Sequence, residues 1–272
     1  MTTLSIHPTT KKHLDQLIKS PPQSLLLTGK KGVGLGTISV YLGEKIANKT
    51  GVILVLPDEK GTIKIDAVRT LRGQLRTRST HQRAIIIDNA DKMTMSSQNA
   101  FLKLLEEPPN NISFILTSHA PQQLLPTIRS RIQNLTVRTT QSTQDHALIT
   151  SIGSLDDKKS AQIKFLASGL PAEITRLISD SEYFTVRSEE ITRSRNFISQ
   201  KLYQKMIIIA KISNNREEAL TLIQDSLMIV RLSITSHPTV ELSVLLNQLL
   251  QVEEKLLNDG HVKTQLLRFA TT

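Results

Sequence analysis

The chain is 272 residues long, 39% hydrophobic and 21% charged, and its 34 Lys and Arg against 24 Asp and Glu give a formal charge of +10. At roughly 100–200 residues per domain this is one to three domains with enough apolar material for a real core, which excludes a disordered tail. The absence of Cys excludes a disulfide scaffold, a thiolate zinc site, an iron–sulfur cluster and a cysteine nucleophile, and with no Trp and 3% aromatics base stacking has little to work with.

Residues 1–17 lack the apolar stretch of a signal peptide, and no apolar run approaches the ~20 residues that a membrane span needs, so a cytoplasmic, membrane-independent protein is expected. The positive excess favours polyanionic partners without naming one. Residues 25–28, 52–56, 84–88, 113–117 and 134–137 are short aliphatic runs bounded by Gly, Pro, Asn or Asp, and predict buried strands. Helical spacing lies between them: Ile38, Tyr41, Leu42 and Ile46 share a face after a glycine loop, and Phe101, Leu104 and Leu105 share one before Pro108 and Pro109. This alternation predicts an α/β fold with a mainly parallel sheet.

After about residue 140 the strand pattern stops. Short helices are expected around 145–152, 157–168 and 172–178, the last entered through a turn at Gly169, Leu170 and Pro171. Residues 179–196 are polar and mixed and read as a linker. Long helices follow from Phe197, broken at 213–215 and 237–238, with Gly260 as a C-cap. Residues 240–257 are so apolar that burial on several sides is expected.

The glycine loop carries the first chemical signal. A working P-loop is G-x-x-x-x-G-K-[ST], whose glycines let backbone N–H groups cradle phosphate, whose lysine neutralises it and whose hydroxyl holds magnesium. Counted from Gly29 and Gly34, the lysine position here is Leu35 and the hydroxyl position is Gly36. Lys30, Lys31 and Thr37 project nearby from other points of the loop. Three readings stay open: a turn without a ligand, a weak nucleotide site built on Gly29, Gly32, Gly34 and Thr37, or a working catalytic loop. Asp88 then stands at the carboxyl edge of a predicted strand, where open α/β sheets bind ligands. The neighbour that would activate water in an ATPase is Asn89, which cannot take a proton, so Asp88 reads as a remnant capping the sheet edge.

Three stretches are more distinctive: Asn99 to Pro109 with its Glu106-Glu107-Pro108-Pro109 end, Phe114 to His119, and Leu125 to Ile132 with Thr127-Ile128-Arg129-Ser130-Arg131. Together they resemble the clamp-loader branch of the AAA+ superfamily over roughly residues 4–180. The resemblance implies an AAA+ (P-loop NTPase-like) core at 1–140, a small helical lid at 141–182 and an all-α C-terminal collar for oligomerisation at 183–272. It places Thr117 and Ser118 at the family's sensor 1 position. It matches Ser130-Arg131-Ile132 to the Ser-Arg-Cys motif, whose arginine acts in trans on nucleotide held by a neighbouring subunit and is worth roughly 10³–10⁵ in rate. An ordinary surface salt bridge is the other reading of Arg131.

Departures from the family pattern are also plain. Ala172 stands where motor subunits carry the sensor 2 arginine, and the four-cysteine zinc module is missing. The resemblance therefore implies a subunit without ATPase activity of its own, with no zinc and doubtful nucleotide binding. It would work beside motor and clamp-opening subunits, a sliding clamp and primed DNA, as a component of a replicative DNA polymerase holoenzyme. Arg69, Arg72 and Arg76 would share a helical face as a DNA-phosphate contact, or else as a solvated face, and Gly73 weakens that helix. The seven histidines show no metal-ligand spacing, and His119 reads as a polar loop residue. Two other functions compete: an active AAA+ ATPase using Lys30 or Lys31, and a DNA-binding adaptor on an inactive AAA+ scaffold.

Overall fold

A computed structural model describes residues 4–75, 81–153, 155–258 and 260–271. Its contacts divide the chain into two compact units, Met1–Ser179 and Asp180–Thr272. The charge divides with them: residues 1–179 hold 23 Lys and Arg against 13 Asp and Glu, and residues 180–272 hold 11 of each. The whole excess of +10 thus belongs to the first unit.

The first unit runs α1 (Pro8–Lys19), β1 (Ser24–Thr28), α2 (Leu35–Ala47), β2 (Val52–Val55), α3 (Ile65–Leu75), β3 (Arg83–Ile87), α4 (Met95–Glu106), β4 (Ile112–Ser118), α5 (Pro126–Arg129), β5 (Gln133–Thr136), α6 (Ser142–Ile152), α7 (Asp157–Ala167) and α8 (Pro171–Ser179). The strands pair in parallel in the order β2-β3-β4-β1-β5. A parallel sheet needs helices on both faces, and the aliphatic runs supply side chains to both. Ala84, Ile86 and Ile115 join α1 and α2 through Leu14, Ile38 and Leu42. Ile85, Ile87 and Phe114 join α3 and α4 through Val68, Phe101 and Leu104 on the opposite face. Phe101 meets Phe114 edge to face at 5.3 Å.

The predicted strands all form, but not all are buried. β2 and β5 are the edges of the sheet: Leu54 is 46% exposed, and Gln133, Asn134 and Thr136 lie open. An edge strand has a neighbour on one side only, which the aliphatic composition of a run does not reveal. Because β3, β4 and β1 are adjacent, their carboxyl ends bring Asp88, Thr117 and the loop after Thr28 side by side.

The second unit is α9 (Ser181–Ser199), α10 (Leu202–Ile212), α11 (Arg216–Ser236), α12 (Val240–Leu257) and α13 (Val262–Thr271). The predicted breaks at 213–215 and 237–238 fall between helices. Gly260 closes the end of α12 by donating its N–H to Lys255 O at 2.7 Å, two residues beyond the cap at Asn258. Two expectations are corrected. The polar stretch 179–196 is no linker: α9 is capped by Asp180, which accepts from Tyr183 N at 2.9 Å, and Ile191, Ser194 and Phe197 are buried. Its Ser and Thr hydroxyls turn back to carbonyls one turn earlier, and Arg187 forms a bidentate pair with Asp225 at 2.6 and 2.5 Å. Nor is α12 buried on several sides: Leu249, Val252 and Leu256 are its buried stripe, whereas Val240, Val244 and Leu257 are exposed.

Candidate functional site

The glycine loop leaves β1 at Thr28 and enters α2 through Gly34. Gly32 and Gly34 both sit at φ +88°, backbone that an L side chain rarely adopts. Ile38 donates to Gly34 O at 2.9 Å, and Val33, which is buried, donates to Lys30 O at 3.1 Å. Leu35, at the lysine position, is 2% exposed and belongs to the core beneath the loop. Its Cδ2 would stand 3.4 Å from a Cβ on Gly29, so an apolar side chain fills the space beside the loop's first glycine. At the hydroxyl position, a Cβ on Gly36 would lie 3.4 Å from Asp88 Oδ1. Gly36 therefore faces the acidic strand end, while Leu35 turns into the core. Thr37, Lys30 and Lys31 are exposed.

Asp88 and Thr117 are brought together as the strand order requires. Thr117 Oγ1 donates to Asp88 Oδ1 at 2.6 Å and accepts from Asn89 N at 2.8 Å, while Asn89 Nδ2 donates to Asp88 Oδ2 at 3.0 Å. Asn89 reaches this geometry at φ 52°, a left-handed conformation that Asn tolerates. Both carboxylate oxygens of Asp88 thus already have protein donors. One turn on, the buried Asp91 accepts from Ser118 Oγ at 2.7 Å and His119 N at 3.2 Å. The His119 ring reaches across to Gly29 O at 2.8 Å. That side chain ties the end of β4 to the start of the glycine loop, a structural role that its place in a polar loop did not disclose.

The loop is also held from the helical side. Ala172 donates its N–H to Gly32 O at 3.1 Å, and Leu170 packs over Gly32. A cleft of about 440 Å³ opens beside it, lined by Leu4, Val33, Thr37, Ile38, Leu148 and Ala172 among others. Where α6 begins, the buried Thr140 donates its N–H to Gly169 O at 2.9 Å and its hydroxyl to Asp145. Burial pushes the Asp145 carboxyl above its ordinary range, against the opposing pull of Thr140 and Lys164.

Arg131 is placed apart from this cluster. Ser130 caps α5, and its hydroxyl donates to Thr127 O at 3.1 Å. Arg131 is exposed; Nη1 donates to Thr127 O at 3.0 Å and Nη2 lies 3.3 Å from Glu106 Oε1. The Glu106-Glu107-Pro108-Pro109 and Ser130-Arg131-Ile132 stretches are therefore joined by one solvent-screened ion pair, of the kind worth about 0–1 kcal/mol. Beneath the arginine, Ile128 and Ile132 are buried.

The residue that fixes this segment is Gln98, which belongs to none of the motifs in the sequence. It is 3% exposed, its Nε2 donates to Met93 O at 3.2 Å and Gln123 O at 3.1 Å, and its Oε1 accepts from Leu125 N at 2.7 Å. A signal was present: Ser97 and Gln98 continue the buried stripe of Phe101 and Leu104 along α4, and a glutamine on such a stripe needs partners.

Along α3, Arg69 and Arg72 lie exposed opposite the buried Val68, Leu71 and Leu75, and Gly73 does not stop the helix. Arg69 pairs with Asp66 at 3.5 Å. Arg76, the third member of the predicted face, lies outside the described residues. Just ahead of α3, the Thr62 N–H and Lys64 hold Asp58 down at about 2. Among the described residues no group of three His, Asp or Glu is placed to hold a metal ion, and no helix is long and apolar enough to cross a membrane.

Residues 45–141 match the family model described as DNA polymerase III, delta subunit. The delta' subunit of DNA polymerase III from Bacillus subtilis is 27% identical over 150 residues, 55% of this chain and 40% of that protein. The delta' subunit from Pseudomonas aeruginosa is 38% identical over 71 residues, 25% of this chain and 22% of that protein. The matched regions thus span less than half the length of these curated relatives. The crystal structure of a DNA polymerase III gamma subunit-related protein from Thermotoga maritima superposes with a TM-score of 0.52 at 20% identity, covering 96% of this chain and 97% of that one. At such identity the likeness establishes the fold alone, a parallel α/β core followed by a helical C-terminal region.

Proposed function

With the resemblance to DNA polymerase III delta prime subunits as the premise, we propose that this chain is a non-hydrolysing clamp-loader subunit that donates Arg131 in trans to nucleotide held by a neighbouring subunit. The observation that carries the reading is the separation of two sets of residues. The chain's own loop lacks the groups that hydrolysis needs, while Arg131 is exposed and set on a braced segment.

A magnesium nucleotide does not fit the residues present. Leu35 supplies no charge and fills the space beside Gly29, Gly36 supplies no ligand, and each oxygen of Asp88 already accepts a hydrogen bond, from Thr117 or Asn89. Asn89 cannot accept a proton from water. No hydrolytic step is therefore assigned to this chain's loop. Gly29, Gly32, Gly34 and Thr37 remain as backbone and side chain beside an apolar cleft, a shape that suits weak holding of a nucleoside rather than chemistry.

Arg131 has the opposite character. A guanidinium is charged at every accessible pH and offers a planar fork of donors, and its pair with Glu106 is screened and exchangeable. Gln98 ties down the backbone at Gln123 and Leu125, just ahead of the segment that carries the arginine, so the exposed side chain starts from a braced backbone. The reading includes residues 1–140 as AAA+ core, 141–182 as lid and 183–272 as collar, and a cytoplasmic site of action beside motor and clamp-opening subunits, sliding clamp and primed DNA. The positive charge of the first unit, with Arg69 and Arg72 exposed and Arg76 next in sequence, suits contact with DNA phosphates inside that assembly.

The test is reconstitution of the loader from this organism's motor and clamp-opening subunits with wild-type chain or Arg131→Ala. Clamp- and DNA-stimulated ATP turnover falls by at least tenfold with the variant while assembly is unchanged. Equal turnover, or turnover by the purified chain alone, removes the reading.

A further inference from the structure

Glu106 is the last residue of α4, and Glu107 is its cap. This is the negative end of the helix dipole, where cations are favourable and carboxylates are not. Helix stability therefore gives no reason for an acid at position 106. Among the described residues its ion-pair partner is Arg131 alone, at 3.3 Å, although Lys103 lies one turn back on the same helix. We propose that Glu106 is a positioning residue for the arginine. Its carboxylate parks the Arg131 guanidinium against the chain's own surface, and the arginine acts only after nucleotide on the neighbouring subunit has displaced it. The inference rests on the reading of Arg131 as a donor in trans.

The pair is set up by the packing beneath it. Leu104 near the end of α4, and Ile128 and Ile132 around Arg131, are buried in one cluster, and Gln98 holds Leu125 N ahead of them. The backbone under each partner is fixed before the side chains meet, so only side-chain freedom is lost in pairing. The guanidinium is then engaged at both outer nitrogens: Nη2 lies on Glu106 and Nη1 donates to Thr127 O at 3.0 Å. A bidentate grip on phosphate oxygens competes with contacts that the chain already makes.

Charge decides which partner wins. A carboxylate 3.3 Å away offsets the guanidinium charge and repels an approaching phosphate. The two side chains are 42% and 51% exposed, so solvent screens the pair and keeps it exchangeable. A nucleoside triphosphate brings several negative charges against the single one of Glu106. A weak pair on a fixed backbone suits a reversible hold, and contributes little to the stability of the fold.

The test has two arms. In the full chain alone, nitrogen-15 NMR of the Arg131 guanidinium reads restricted rotation of its Nη groups in wild type and at least twofold faster rotation in Glu106→Gln. In the loader reconstituted without clamp or DNA, Glu106→Gln and Glu106→Ala raise kcat for ATP about two- to fivefold, the range that a screened pair allows, and leave KM unchanged. In an Arg131→Ala background the same substitutions raise nothing. Neither variant removes a buried group and both relieve the helix end, so the melting temperature does not fall. A merely structural role would lower assembly or turnover instead. Guanidinium rotation unaltered by Glu106→Gln overturns the proposal. So does a kcat at or below wild type in Glu106→Gln while Arg131→Ala slows turnover, an outcome that leaves the arginine reading standing. Turnover unchanged in Arg131→Ala removes that reading, and the proposal with it.

Discussion

Replacing Gln98 by Ala tests whether one buried amide holds the segment that carries Arg131. The substitution removes three hydrogen bonds to backbone groups. Gln123 lies at the surface, where water takes over its carbonyl, but Met93 is 4% exposed and Leu125 is half-buried. Two backbone groups are thus left without partners, at about 1–3 kcal/mol each. The vacated side-chain volume adds to this, for a total of roughly 3 kcal/mol or more. The loss is local, so amide hydrogen exchange over residues 121–132 reads it better than a global melt. There Ser130 N donates to Pro126 O at 2.9 Å and Arg131 N to Ile128 O at 3.0 Å. Exchange of these amides rises roughly a hundredfold for about 3 kcal/mol of lost local stability, while exchange in α12 stays as in wild type. Gln98→Glu keeps the shape but turns a carboxylate toward two carbonyls, and at neutral pH it opens the segment nearly as far. Unchanged exchange over 121–132 in Gln98→Ala would refute the bracing role.

Two further outcomes follow from the same geometry. Leu35→Lys with Gly36→Thr restores the ammonium and hydroxyl of a P-loop; it destabilises the first unit by about 2–4 kcal/mol, because Leu35 is a core residue. Calorimetry shows at least a tenfold gain in magnesium–ADP affinity, yet turnover stays at background because Asn89 remains; turnover above background contradicts the reading of the strand end. For Asp145, burial raises the native carboxyl above the 3.8 of the unfolded chain, so the native state holds this proton more tightly. Stability linked to this group is greatest below the unfolded value and declines as pH rises through the raised native value. Asp145→Asn does not ionise, so its melting temperature relative to wild type climbs between pH 4 and pH 7, and a flat or falling difference contradicts the assignment.

Much of the fold was legible because a parallel sheet writes itself as short aliphatic runs between helical periods, and each of the five runs is a strand. Which strands are edges was not legible, since order in the sheet is a property of the crossovers. The helix α9 was hidden by its Ser, Thr and Glu content. Its stability comes from a cap and from Arg187 meeting Asp225, 38 positions away in the chain. The candidate site divides in the same way. Asp88, Thr117 and the glycine loop could be expected together, because they stand at the carboxyl ends of adjacent strands. The His119 contact with Gly29 and the Gln98 contacts with Gln123 and Leu125 depend on a side chain crossing from one element to another, and sequence spacing holds no record of that. Glu106 and Arg131 were each conspicuous in their own motif, and only the structure makes them a pair.

The central claim is that Arg131 acts on a neighbour's nucleotide. Its most direct test is single-turnover ATP hydrolysis by the reconstituted loader, with wild-type chain, Arg131→Lys and Arg131→Ala compared at saturating clamp and DNA. The predicted result is unchanged nucleotide binding, with a chemical step slowed by roughly 10³ or more at the adjoining site in Arg131→Ala and only partial recovery in Arg131→Lys. A chemical step as fast in Arg131→Ala as in wild type contradicts the account.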